Sequence, residues 1–194
     1  MYKNMADILE DGQVGDFSIS RFTITDNDFV AKYRMGISNG TYICLKQNGE
    51  VVMSDTDMEK RTNSNFVRKA HGDILIGGLG IGMIVLAIQD KPEVNSITIL
   101  EKNQEVIDLV ESQLPLNDKV KIIHADVFDW KPEKGKRYNC IYMDIWNWIN
   151  SDIYRKQMLP LTRKYARYLV SLEQDPKRFN DCWCKHEAKR NMRI

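Results

Sequence analysis

The chain has 194 residues and carries 28 Lys and Arg against 27 Asp and Glu, a formal net charge of +1. That length supports one substantial core with a small appendage, and so even a charge balance gives no global field for nucleic acid. No apolar run approaches the ~20 residues that span a bilayer, the polar start MYKNMADILEDG is no secretory leader, and Cys44, Cys140, Cys182 and Cys184 follow no disulfide spacing; reduced thiols in a cytoplasmic protein are the expectation. Residues 1–15 read as an irregular start with one helical turn over Met5 to Leu9. From Gly15 to Thr25, Phe17 and Ile19, then Phe22 and Ile24, alternate with polar residues in two phases, as in a bulged strand or two short ones. Asn27 to Met35 carries no clear periodicity. Thr41 to Gln47, Asn48-Gly49 and Glu50 to Met53 form a β-hairpin, because Asn-Gly supplies both φ > 0 positions of a type I′ turn. An antiparallel meander over residues 1–55 is therefore expected.

Thr56-Asp57-Met58-Glu59 has the spacing of a capping box and opens a helix that runs through Phe66 and Val67 to about Ala70. Gly72 delivers the chain into Asp73 to Leu86, DILIGGLGIGMIVL, whose pattern is a buried parallel strand, a tight glycine turn and a helix on the sheet. Glycines there allow φ > 0 and a ligand in contact with the main chain. The next strand, Ser96 to Leu100, ends in Glu101 about twenty residues on, where a carboxylate can accept both hydroxyls of a ribose. Asn103 caps a helix with Val106, Ile107 and Val110 on its apolar face. Strands Val120 to Ile123 and Asn139 to Met143 run into His124-Ala125-Asp126 and into Asp144. These acids stand at strand C-terminal ends, where open parallel sheets bind ligands. His124 is expected as a structural strand-end residue, pointing away from Asp126 by alternation.

Ile153 to Leu172 is amphipathic, with Leu159, Leu161, Tyr165, Tyr168 and Leu169 toward the core and Pro160 as a kink or break. Arg167 to Leu172 is a candidate edge strand, and no strong further strand is evident after it. Asp175-Pro176 marks a boundary before a basic tail, in which Arg190 and Arg193 keep a nucleic-acid contact open. Cys182-Trp183-Cys184-Lys185-His186 invites a metal, but no second ligand pair completes a zinc set, so none is expected.

The glycine spacing bears on the ligand. A dinucleotide fingerprint requires Gly or Ala three residues after its second glycine, and the candidates here are Met83 and Val85. Gly78-Leu79-Gly80-Ile81-Gly82 instead resembles the glycine loop of class I S-adenosylmethionine (SAM)-dependent methyltransferases. From Leu45 to Trp148 the chain resembles the spermidine synthase branch of that superfamily. The branch's hairpin "LDGVVQ" is matched by Leu45 to Met53, its acidic turn by Ser54 to Asp57, and its "GGGDGG" by Gly77 to Gly82. Its "VEID" is matched by Leu100-Glu101-Lys102-Asn103, its "GDG" by Ala125-Asp126-Val127, and its "YDVIIVDSSDP" by Tyr138 to Trp148. Gly80 stands where the branch has an aspartate, and Asn147 and Trp148 replace its second aspartate and its proline.

The resemblance implies an α/β fold: a Rossmann-like methyltransferase sheet, here without its usual last strands, preceded by the antiparallel β region. Residues 1–55, 56–174 and 175–194 would be the meander, the cofactor domain and the tail. It implies SAM, decarboxylated SAM or methylthioadenosine as ligand. Gly78, Leu79, Gly80 and Gly82 would cradle its amino-acid end, Glu101 and Lys102 would flank the ribose, and Asp126 would meet the adenine amine between Ala125 and Val127. Asp144 is the candidate general base or substrate anchor, with a cap for the following helix as its other role. Trp146 and Trp148 are placed to stack on a planar substrate or hold a cation, or to close the sheet's end as an apolar lid. The expected activity is transfer to a small-molecule acceptor, methyl rather than aminopropyl. The alternative is a non-catalytic nucleoside-binding or structural relative that has lost the aminopropyltransferase acids. An uncovered sheet edge predicts a homodimer.

Overall fold

The computed structural model describes residues 2–34 and 36–192. Met35, at the end of the segment without clear periodicity, and Arg193 and Ile194, at the end of the basic tail, lie outside the described residues. Two sheets make the frame. The first is antiparallel, in the order β1 (Gly12–Val14), β2 (Phe17–Ile24), β3 (Gly40–Gln47) and β4 (Glu50–Ser54). The β3–β4 turn has φ of 51° at Asn48 and 83° at Gly49, the two left-handed positions that the Asn-Gly pair provides. The two-phase pattern of Phe17 to Ile24 comes from no bulge. β2 pairs with β3 without interruption from Phe17↔Gln47 to Ile24↔Gly40. Phe17 and Ile19 are buried on one face, while Phe22, on the other, stacks on its cross-strand partner Tyr42 at 5.6 Å.

The second sheet is parallel, in the order β7-β6-β5-β8-β9, with β5 at Gly72–Gly77, β6 at Val94–Glu101, β7 at Val120–His124, β8 at Cys140–Met143 and β9 at Phe179–Cys182. This is the Rossmann-like α/β arrangement, and the strand order reverses between β5 and β8. Helix α1 (Asp57–Lys69) leads into the sheet, α2 (Met83–Ile88) comes after the glycine turn and α3 (Gln104–Val110) after β6. Every residue of α2 is buried, which explains its unbroken apolar sequence. From α4 (Ser151–Ile153) the chain passes through a π-helical stretch, Tyr154–Met158, into α5 (Leu159–Ala166). The wider turn directly precedes Pro160, which has no N–H for the carbonyl four residues back.

The segment after Asp175 differs from the expected basic tail. Phe179 to Cys182 forms the fifth parallel strand, and Trp183 is 3% exposed with its Nε1 donating to Thr62 Oγ1 on α1 at 3.0 Å. Arg167 to Leu172 makes only an isolated bridge, Tyr138↔Leu169. Asn and Asp disfavour strands, so Phe179-Asn-Asp-Cys carries little β signal. Its position is fixed by the ladder to β8 and by one side chain: Asn180 Nδ2 donates to Thr162 O on α5 at 2.9 Å. Helix α6 (Lys185–Arg190) ends the described fold.

One contiguous core joins the two sheets. Asp55, fully buried after β4, accepts from the Met5 N–H at 3.1 Å and from the Ile43 N–H at 2.8 Å. It thereby ties the N-terminal turn Met5–Asp7 to the meander. Replacing it with alanine strands two buried donors, each worth roughly 1–3 kcal/mol. We expect Asp55→Ala to lower unfolding free energy by about 3 kcal/mol in urea titrations, a loss that rules out a solvated role for this acid if found.

Candidate functional site

The strand-order reversal opens a cleft of about 320 Å³ over the C-terminal ends of β5, β6 and β8, within the range of small-molecule pockets. The meander roofs it through Phe17, Leu45, Val52 and Met53. Of the residues expected from sequence, Gly78, Leu79, Gly80, Glu101, Lys102, Ala125, Asp126, Val127, Asp144 and Trp146 all line this cavity. Gly82 and Trp148 do not. Gly82, at φ 77°, ends the turn against Leu114, and Trp148 is 59% exposed.

Gly77 hands the chain to Gly78 at φ 95°, where the backbone passes against the Asp144 carbonyl. Gly80, at φ 51°, lies beneath the Met53 thioether, which fills the space a side chain at 80 would need. The turned backbone points the Leu79 N–H at Glu101 Oε2, 2.9 Å away. Glu101 Oε1 accepts from the Asn103 N–H at 2.9 Å and from Asn103 Nδ2 at 3.1 Å. The glycine turn and the carboxylate of the next strand are thus one hydrogen-bonded unit. A carboxylate offers about four lone-pair positions, so one on Oε2 is open.

Asp126 is held on the other wall. Its Oδ1 accepts from the Phe128 N–H at 2.8 Å and its Oδ2 pairs with Lys102 Nζ at 3.1 Å. Partial burial pushes this carboxyl up, and the Phe128 N–H and Lys102 ammonium outweigh it, leaving the pKa below its usual value. The loop after it is pinned from α5. Lys164 Nζ donates to the carbonyls of Val127 at 2.9 Å and Phe128 at 2.7 Å, and the Tyr165 hydroxyl donates to Val127 O at 2.8 Å. His124 turns outward, its Nε2 at 2.9 Å from Lys102 O.

The far end of the cavity is acidic. Asp144 comes directly after β8, its N–H donating to Gly77 O at 2.8 Å. Desolvation raises its carboxyl to about 7, with the Asn63 amide opposing. Asn63 is itself fixed, accepting from the Tyr142 hydroxyl at 2.8 Å. Glu59 lines the same cavity, and burial, then the charge of Asp144, pushes it up to about 8 against the Ser54 N–H. The Tyr2 hydroxyl is buried without a partner, and its pKa is raised by burial and then by Asp144 and Glu59. Trp146 is 9% exposed, and its Nε1 donates to Gln157 Oε1 at 2.6 Å.

Glu59 and Tyr2 were not legible as site residues. The capping-box spacing assigns Glu59 to the helix end, yet Thr56 makes no side-chain cap bond; its hydroxyl meets Ser54 Oγ at 3.0 Å instead. Glu59 is therefore free to turn into the cleft. Nothing in the sequence around Tyr2 signals its position. Among the described residues no group of three or more His, Cys, Asp or Glu could hold a metal ion, and no helix is long and apolar enough to cross a membrane.

No protein-family model matches the chain, and no curated protein does. Among solved structures it is similar to the plantazolicin methyltransferase BpumL in complex with SAH, at 19% identity and a TM-score of 0.41 over 58% of this chain and 40% of that one. It is also similar to the CcbJ methyltransferase from Streptomyces caelestis, at 14% and 0.45 over 57% and 45%. A third is the N-terminal domain of EvdMO1 in the presence of SAH and D-fucose, at 19% and 0.41 over 64% and 52%. The chain spans about half or less of the length of these structures.

Proposed function

We propose that the cleft binds SAM, or a nucleoside sulfonium of that type, and directs transfer of its sulfonium-bound group to an amine-bearing small molecule, leaving the nucleoside thioether behind. The observation that carries this is the 2.9 Å bond from Leu79 N–H to Glu101, because it sets a ribose acceptor beside the glycine turn on one wall of the cleft. The fit is reasonable in size and chemistry: a cavity of about 320 Å³, an open lone pair on Glu101, and two glycines whose Cβ positions the fold itself blocks. When bound, a sulfonium supplies an electrophilic carbon. The chain's own part is to hold the acceptor in line with that carbon, keep water out beneath Met53 and Trp146, and receive at an Asp144 oxygen the proton that the amine loses.

The acceptor end favours an amine. Four acids line the cavity, Glu59, Glu101, Asp126 and Asp144, and Lys102 is the one basic residue among the described lining residues, already paired with Asp126. A carboxylate-bearing acceptor finds no partner near Glu59 and Asp144; an ammonium finds two. The residues 1–55 act as roof, 56–174 as the cofactor domain, and β9 within 175–194 presents an outer edge on which we place a homodimer contact, in a cytoplasmic setting. A strictly monomeric species in sedimentation at high concentration refutes the dimer.

Calorimetric titration with SAM, SAH, methylthioadenosine and NAD tests the main reading. SAH binding at micromolar concentration, with NAD silent, is expected. NAD binding without SAH binding overturns it.

A further inference from the structure

We propose that Glu59, in the first turn of α1, is the second carboxyl of the acceptor half of the cleft, and that Glu59 and Asp144 together hold a proton that leaves when a cationic amine enters. The amine's role as acceptor rests on the proposed transfer function; the release of the proton does not. Two elements distant in sequence, α1 and the end of β8, deliver these carboxyls to one cavity, and Glu59 is only 7% exposed there.

Among the described residues no cation pairs with either acid. Of the neighbouring bases on α1, Lys60 lies over the Tyr42 ring at 5.7 Å and Arg61 lines a separate groove beside β9. The titratable groups facing the pair are Tyr2 from the N-terminal segment, Tyr142 on β8, and Cys182 and Cys184 around the end of β9. All are raised by burial, the two thiols to about 11 and about 12, and so are neutral at neutral pH. Two carboxylates sharing a desolvated site cannot both ionise cheaply, and they titrate as a pair. Burial that puts Glu59 near 8 and Asp144 near 7 leaves a proton on the pair at neutral pH. An ammonium entering the cavity supplies the missing positive charge, favours the ionised form of both acids, and expels that proton to solvent.

The test is calorimetry of the full chain with n-butylammonium in two buffers of different ionisation enthalpy, with n-butanol as the uncharged control. At pH 7 roughly one proton leaves per amine bound, and affinity rises up to about tenfold per pH unit between pH 6 and 8. Glu59→Gln cuts the released proton by half or more and flattens the slope, whereas Glu59→Asp restores part of both. A second measurement needs no variant. Both carboxyls have folded pKa values above their unfolded ones, so their contribution to stability is full below about pH 4 and is lost as pH rises through 7 to 8. Melting temperature should therefore fall from pH 5 to 8, and saturating n-butylammonium should reverse the fall. Failure of the amine to bind, binding without proton release, or a flat melting profile overturns the proposal. Proton release in a chain that does not bind SAH leaves this inference standing and removes the cofactor reading; SAH binding with proton-silent amine binding does the reverse.

Discussion

Gly78→Ala is expected to abolish nucleoside binding and to lower unfolding free energy by about 4 kcal/mol or more, an exceptional loss for one methyl group. Two effects add. The position has φ 95°, where an L residue is strained by roughly 1–3 kcal/mol. The new Cβ would also overlap the carbonyl oxygen of Asp144, and that atom is main chain at the end of β8, held by the Asp144 N–H to Gly77 O bond of 2.8 Å. No rotamer change can make room, so β5 and β8 must separate at the mouth of the cleft. Gly135→Ala is the control: its φ is 90°, yet no atom lies within 4 Å of its Cβ position. Urea unfolding of the two variants separates strain from overlap. A Gly78→Ala loss no larger than that of Gly135→Ala would show that the Asp144 carbonyl yields readily, and that the turn is not a rigid cradle.

The frame of the site was readable because its signals are local. Ile74 to Ile76 announce a strand by their apolar run, as do Ser96 to Leu100, and the glycines after the first and Glu101 after the second mark the ends that face a ligand. The Asn48-Gly49 turn announces its hairpin by conformation alone. The features that escaped depend on partners far away in the chain. Glu59 has the spacing of a helix-capping acid, and only the Ser54 contact of Thr56 shows that the cap is unmade. Phe179 to Cys182 has Asn180 and Asp181 at its centre, which weakens its β signal, and it becomes a strand because Thr162 and the β8 backbone receive it. Trp148 lies two residues after Trp146, but only Trp146 turns into the cleft, where Gln157 on the π-helical stretch takes its N–H. Tyr165 reads as part of an apolar helix face, and its hold on the Val127 carbonyl, shared with Lys164, is visible only in three dimensions.

Glu101→Gln should weaken SAH binding by about 100-fold, while Asn103→Ala should leave it unchanged or tighter. Each Glu101 oxygen already meets a donor: Leu79 N–H at Oε2, and the Asn103 N–H and Nδ2 at Oε1. A glutamine places an amide donor against one of these N–H groups, turning a charge-assisted bond into a donor–donor contact, and removes an acceptor from the ribose. Hydrogen bonds to a charged group contribute roughly 1.5–3 kcal/mol each, so the loss of one, with the distortion of Leu79, corresponds to about two decades of affinity. Asn103→Ala acts oppositely. The backbone N–H remains on Oε1, but the side-chain amide no longer occupies its second lone pair, so both ribose hydroxyls can dock without displacing a protein group. Calorimetry on the two variants reads the contrast directly. Equal weakening by both would mean that Asn103 holds the carboxylate in place rather than competing for it, and retention of full affinity in Glu101→Gln would remove the carboxylate from the nucleoside site altogether.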